Sequence, residues 1–286
     1  MASGWVSPQN IEQSKSRVAS GFGDYLVESA LTGYGAFRGA KAGYLSNQTK
    51  LITDEIFAGD QKKAGVVSIS VGDSVGSGFA VDAHHIVTNM HVTNSRSLVN
   101  VSTGLGTMFD ARVVDHSTSW DLALLRTYEP HGLTPLRLAA ADKVVAPGTE
   151  VVTPARTFLR GRLKTGVGIH DSTGNLDQLE QKMSNSLNLF QKADEDVRDY
   201  FLNLIGGAAD QPGGKTREGL YSRIMGVGQG WSGSPLVERK TGEVVGVLSG
   251  GFYNPKTYRA QFSESIKGVY EMLQRQSIET SGTKSN

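Results

Sequence analysis

A serine flanked by glycines, directly ahead of a strand–turn–strand, limits this chain more than any other feature. The stretch is Gly228-Gln229-Gly230-Trp231-Ser232-Gly233-Ser234-Pro235. It runs into Leu236-Val237, a turn at Lys240-Thr241-Gly242-Glu243, and the apolar run Val244-Val245-Gly246-Val247-Leu248. Glycines permit positive-φ geometry and let a substrate carbonyl approach the backbone. A serine held this way is presented as an acyl-transfer nucleophile, and the amides of Gly230 and Ser232 are candidates for an oxyanion hole. A serine hydroxyl reacts at neutral pH only with a base in hydrogen-bond reach, so the reading requires a histidine and a carboxylate elsewhere.

Both stand upstream in matching contexts. Gly76-Ser77-Gly78-Phe79-Ala80-Val81 reads as a strand and leads through Asp82-Ala83-His84-His85 to Ile86-Val87-Thr88-Asn89-Met90-His91-Val92. Further on comes Trp120-Asp121-Leu122-Ala123-Leu124-Leu125. The order His91, Asp121, Ser232 and the four local words around G-S-G-F, I-V-T-N-x-H-V, D-L-A-L-L and G-x-S-G-S-P-L resemble the chymotrypsin-like serine peptidases, most of all their HtrA-like and glutamyl-endopeptidase-like bacterial branches. The resemblance covers roughly residues 63–170 and 220–275. It implies an all-β core of two six-stranded antiparallel barrels. It also implies that His91 takes the Ser232 proton while Asp121 fixes the imidazole. By the same resemblance the pocket for the residue on the acyl side of the cut bond is lined by Gly226, Val227, Gly228, Gln229, Ser249, Gly250 and Gly251. No carboxylate and no basic residue lies in that set, so an uncharged, small-to-medium apolar residue is expected there. No metal and no cofactor is implied. The chain stops soon after the second barrel, so no PDZ domain of the HtrA type is expected.

One departure concerns Trp231, which stands where digestive relatives carry an aspartate that pairs with a newly cut N-terminus. A tryptophan cannot form that ion pair, so activation by a buried ammonium is not expected. An oxyanion loop disturbed at rest by Trp231 is one consequence to test. The G-W-S-G wording is also similar to that of some plant RNA-virus polyprotein peptidases.

The rest of the chain divides by pattern. Residues 1–62 read as a helical extension, with Asn10 as a cap and the G-x-x-x-G spacing of Gly35, Gly39 and Gly43 allowing close helix contact. Residues 63–140 form the first barrel. Residues 141–275 form the second, starting at Glu150-Val151-Val152-Thr153 and continuing with a strand over 162–169. Within it, 171–219 is an insertion. Leu176, Leu179, Met183, Leu187, Phe190, Val197, Phe201 and Leu204 recur at three- and four-residue steps, the period of an amphipathic helix. Asn175 with Gln178 forms its capping box. Ile266, Val269, Tyr270 and Leu273 define a C-terminal helix, and 276–286 is a polar tail.

Composition narrows the function. Net charge is +1, which gives no reason to expect nucleic acid as a partner. With no cysteine the fold depends on packing alone. Met1-Ala2-Ser3-Gly4-Trp5 has neither a basic nor an apolar signal region, so a cytoplasmic location is favoured unless a leader has been removed, and no run is apolar enough for a transmembrane helix. His84, His85, His116, His131 and His170 carry no partner pattern, and adjacent strand residues such as His84 and His85 point to opposite faces. The expected activity is endopeptidase action on protein or peptide substrates. Two alternatives stay open: a viral polyprotein-processing or self-cleaving peptidase, and a peptidase-fold adaptor of low activity. Residues 1–62 or the 176–205 helix offer a surface for a regulatory contact or a homo-oligomer.

Overall fold

A computed structural model describes residues 60–72, 74–156, 163–175, 178, 218–253 and 259–278. The expected helical extension up to residue 59, the body of the inserted helix and the polar tail from residue 279 lie outside the described residues. Twelve strands and two helices are described, and the strands close into two six-stranded barrels in which every neighbouring pair is antiparallel.

The first barrel has the order β1-β2-β3-β6-β5-β4. Its strands are β1 (Val66–Val71), β2 (Ser74–Ala80), β3 (His85–Asn89), β4 (Leu98–Ser102), β5 (Met108–Ser117) and β6 (Leu122–Arg126). β1 reads VVSISV, a β-branched sequence that suits a pleated, half-buried surface. Val67, Ile69, Ile86, Val99, Val101 and Leu125 fill the interior. The second barrel has the order β10-β11-β12-β9-β8-β7. Its strands are β7 (Glu150–Arg156), β8 (Leu163–Asn175), β9 (Glu218–Met225), β10 (Pro235–Glu238), β11 (Glu243–Tyr253) and β12 (Arg259–Ser265).

A further apolar cluster joins the barrels. Phe79, Val87 and Leu124 from the first pack with Val152, Val237 and Val247 from the second. The C-terminal helix α2 (Ile266–Arg275) buries Val269, Met272 and Leu273 in the same cluster. The period-four apolar positions of this helix thus close the seam between the barrels. The helix also touches the segment ahead of β6 directly: Trp120 Nε1 donates to Glu271 Oε2 at 2.7 Å, and a Cβ on Gly268 would meet the Trp120 ring at 2.6 Å.

β8 differs from the sequence expectation. The sequence pattern predicts a strand that ends at 169 and an insertion from 171, yet β8 continues to Asn175. Asp171-Ser172-Thr173-Gly174-Asn175 has no strand pattern of its own. It is held extended by pairing with β9, from Ser172↔Tyr221 to Asn175↔Glu218, after a bulge at His170/Ser172. The capping box is present: Gln178 N donates to Asn175 Oδ1 at 2.9 Å and Asn175 N to Gln178 Oε1 at 3.3 Å.

Candidate active site

The site forms where loops of the two barrels meet. β3 ends at Asn89 and passes into a single helical turn, α1 (Met90–Thr93), which carries His91. Asp121 ends the turn before β6 and adopts φ 47°, a left-handed conformation uncommon for a residue with a side chain. Such backbone strain persists only when surrounding contacts impose it. Here they are dense. Met90 N and Asn89 Nδ2 both donate to Asp121 O at 3.0 Å.

The Asp121 carboxylate is buried and fully engaged. His91 N donates to Oδ1 at 3.0 Å, His91 Nδ1 lies 2.7 Å from Oδ2, and Ser249 Oγ donates to Oδ2 at 2.7 Å. The carboxylate accepts only, so Nδ1 carries the proton of a neutral imidazole and Nε2 keeps its lone pair. Two contacts, one from the backbone and one from the ring, fix the imidazole in both position and tautomer.

Ser232 sits in a turn whose glycines have φ 82° (Gly230) and φ 88° (Gly233). At Gly233 no other residue fits, because a Cβ would lie 2.0 Å from Ser77 O and 2.4 Å from Thr88 Oγ1. Gly233 N donates to Leu248 O at 2.8 Å and Ser77 N to Ser232 O at 2.8 Å, so the turn is tied to both barrels. The amides of Gly230 and Ser232 donate to no acceptor among the described residues. The Ser232 hydroxyl donates to Ser249 O at 3.1 Å and makes no hydrogen bond to His91. Ser249 therefore links the three residues, with its hydroxyl on Asp121 and its carbonyl on Ser232.

The expected pocket residues divide. Gly226 closes β9 with φ 87°. Ser249, expected only as a wall, is 5% exposed and committed to Asp121. Val227 is buried beside Trp231 in the core of the second barrel. Trp231 is 3% exposed and packs with Ala139, Val145, Leu220, Leu236 and Leu248. An apolar plug thus anchors the loop, in a position where an aspartate would need a buried cation.

Two polar residues that assemble the site, Asn89 and Ser77, carry no site reading in the sequence, and Ser249 is read there only as a pocket wall. Asn89 bridges Asp121 O and, at 3.3 Å, Ser249 Oγ. Ser77 and Ser249 supply the bonds just described. The signal for Ser77 was a hydroxyl between two glycines on a strand. A second His–Asp contact lies outside the site: His85 Nδ1 is 2.7 Å from Asp82 Oδ2. Burial raises the Asp82 carboxyl, but the amides of His84 and His85 and the His85 ring outweigh it and hold it below its ordinary value. Among the described residues, no group of His, Asp and Glu is placed to hold a metal ion, and no helix is long and apolar enough to cross a membrane.

Residues 76–247 match the trypsin-like peptidase domain family, and the chain belongs to that family. Among curated proteins it is similar to the periplasmic serine endoprotease DegP of Salmonella typhimurium, with 38% identity over 71 residues, 24% of this chain and 15% of the relative. It is 31% identical over 114 residues to the periplasmic pH-dependent serine endoprotease DegQ of Escherichia coli, covering 38% of this chain and 25% of the relative. The chain thus spans a quarter or less of the length of these relatives. Among solved structures, the active form of the Rv3671c protease from M. tuberculosis aligns over 80% of this chain and 87% of its own, with a TM-score of 0.56 and 23% identity. That likeness extends to the fold.

Proposed function

We propose that the chain is a serine endopeptidase acting through Ser232, His91 and Asp121, with no cofactor. The observation that carries the reading is the two-point seat of His91 on Asp121, joined through Ser249 to the Ser232 hydroxyl. In this mechanism Ser232 Oγ turns from Ser249 O toward His91 Nε2, which accepts its proton as the oxygen attacks the scissile carbonyl. Hydrogen bonds of this kind are often unformed without substrate. The oxyanion of the tetrahedral intermediate is received by the amides of Gly230 and Ser232, which have no competing acceptor. His91 then protonates the leaving amine, an acyl-enzyme on Ser232 remains, and a water activated by His91 hydrolyses it. Asp121 stays ionised and stabilises the imidazolium. The names of DegP and DegQ as serine endoproteases support protein substrates. The glycines at 226, 228, 250 and 251, with no charged side chain among the expected wall residues, support cleavage after an uncharged, small-to-medium apolar residue.

Hydrolysis of unfolded casein by the purified chain tests the reading. Ser232→Ala should abolish it. Asp121→Asn should lower kcat by roughly 10⁴-fold, the loss known for wrong-tautomer triads. Casein cleavage that survives Ser232→Ala would remove the proposal.

A further inference from the structure

The loop carrying the two free amides has an anchor on each side, and the anchor on the first barrel is one residue. Ser77 is fully buried on β2. Its N–H donates to Ser232 O at 2.8 Å, and its hydroxyl donates to Gly230 O at 2.9 Å. Its own carbonyl accepts from Thr88 Oγ1 at 2.7 Å and occupies the space that only a glycine at 233 leaves open. Ser77 therefore touches Gly230, Ser232 and Gly233, the residues on either side of Trp231 and next to the hydroxyl.

We infer that Ser77 is a positioning residue for the oxyanion loop, an inference that rests on the peptidase reading. The physical need arises at Gly230. With φ 82° and no Cβ, its peptide planes are free to rotate, and no backbone hydrogen bond among the described residues holds its carbonyl. The Ser77 hydroxyl holds that carbonyl. The Ser77 amide holds the carbonyl of Ser232, two residues on. The pinned carbonyls belong to the Gly230–Trp231 and Ser232–Gly233 peptides, the planes directly after the two unpaired amides, so the first barrel fixes the Cα atoms of Gly230 and Ser232 from which those amides project, while the Trp231 indole fixes the loop from the second barrel. The loop is thus clamped across the seam, and preorganised donors gain their effect from such fixing.

Arg156 sets the brace. Its carbonyl lies 3.3 Å from the Ser77 hydroxyl as a second acceptor for the same proton. Its guanidinium is buried, donates to Val66 O at 2.6 Å and to Gln61 O, and is drawn down to about 10 by burial. The segment entering β1, Arg156, Ser77 and Gly230 form one connected set of polar contacts.

The test uses the full chain and a fluorophosphonate, whose phosphoryl oxygen requires the same donors. Ser77→Ala is expected to lower the maximal inactivation rate about tenfold, as the loss of one buried hydrogen bond with its partner left unpaired implies, while KI changes less than about twofold. Ser68→Ala is the matched control. Ser68 faces Ser77 across β1–β2, is equally buried, and its hydroxyl has no hydrogen-bond partner. It should leave the rate unchanged. Wild-type inactivation by Ser77→Ala, or equal losses in both variants, would overturn the inference. Should Ser77→Ala not fold, Ser77→Cys, which keeps the volume and weakens the donor, carries the comparison with the same two outcomes. A wild-type chain that never reacts would remove the peptidase reading, and the positioning role with it.

Discussion

Replacing Trp231 by alanine separates an apolar anchor from a loop that is merely adjacent to a core. A tryptophan buries about 150–250 Å². At about 25 cal/mol per Å² that is roughly 4–6 kcal/mol of transfer free energy. The unfolded chain already hides part of this area, which reduces the figure by about 10–40%. Since Trp231 is 3% exposed, nearly the whole side chain counts, and a loss of about 3–5 kcal/mol is expected. A domain of this size shifts by about 2–4 °C per kcal/mol, so Tm should fall by about 10 °C. Differential scanning calorimetry measures it. Trp231→Phe should fall between the two, because the smaller ring keeps part of the contact with Leu220, Leu236 and Leu248. Fluorophosphonate labelling well below the lowered Tm should also slow in Trp231→Ala, because Gly230 and Ser232 flank the lost anchor. A Tm within a degree of wild type would refute the anchor. An unchanged labelling rate would refute its link to the loop.

Gly233→Ala should abolish casein cleavage, because a Cβ 2.0 Å from Ser77 O cannot be accommodated without moving the Ser232 turn. A fully active variant would show that the turn is not as tightly held as described. His131 gives a pH dependence. Burial lowers its folded-state value below the ordinary 6.5, and the nearby Asp82 offsets this only in part. The unfolded state therefore binds the proton first, so His131 should cost the protein stability as pH falls from 6.5 through the lower folded-state value. His131→Gln should flatten the decline of Tm between pH 7 and pH 5. A slope identical to wild type would exclude His131 as a contributor.

The parts legible in the sequence were those encoded locally. β1 and β6 announce themselves by runs such as VVSISV and LALLR. The contexts of His91, Asp121 and Ser232 are short words, each next to a strand end, and their order carries the family. Contacts made by topology were not legible. Ser249 reaches Asp121 across 128 residues, and Ser77 reaches Gly230 across 153. No periodicity connects such pairs, which become neighbours only when both barrels close. The end of β8 failed for a related reason. Residues 171–175 are polar and turn-like, and they are extended only because β9 offers a partner. Trp231 is visible in the sequence as unusual, but it reads there as a missing ion pair and as a disturbance of the oxyanion loop, not as an anchor. Its value as a plug depends on Ala139 and Val145 from the segment between β6 and β7 and on Leu220, Leu236 and Leu248 from three different strands.

The proposed mechanism makes Ser232 the nucleophile and His91 its base. Intact-mass and peptide mass spectrometry after fluorophosphonate treatment tests it most directly. One adduct per chain, on Ser232, lost in Ser232→Ala and strongly slowed in His91→Ala, is the predicted result. An adduct on another residue, or undiminished labelling of Ser232 in His91→Ala, would contradict the account.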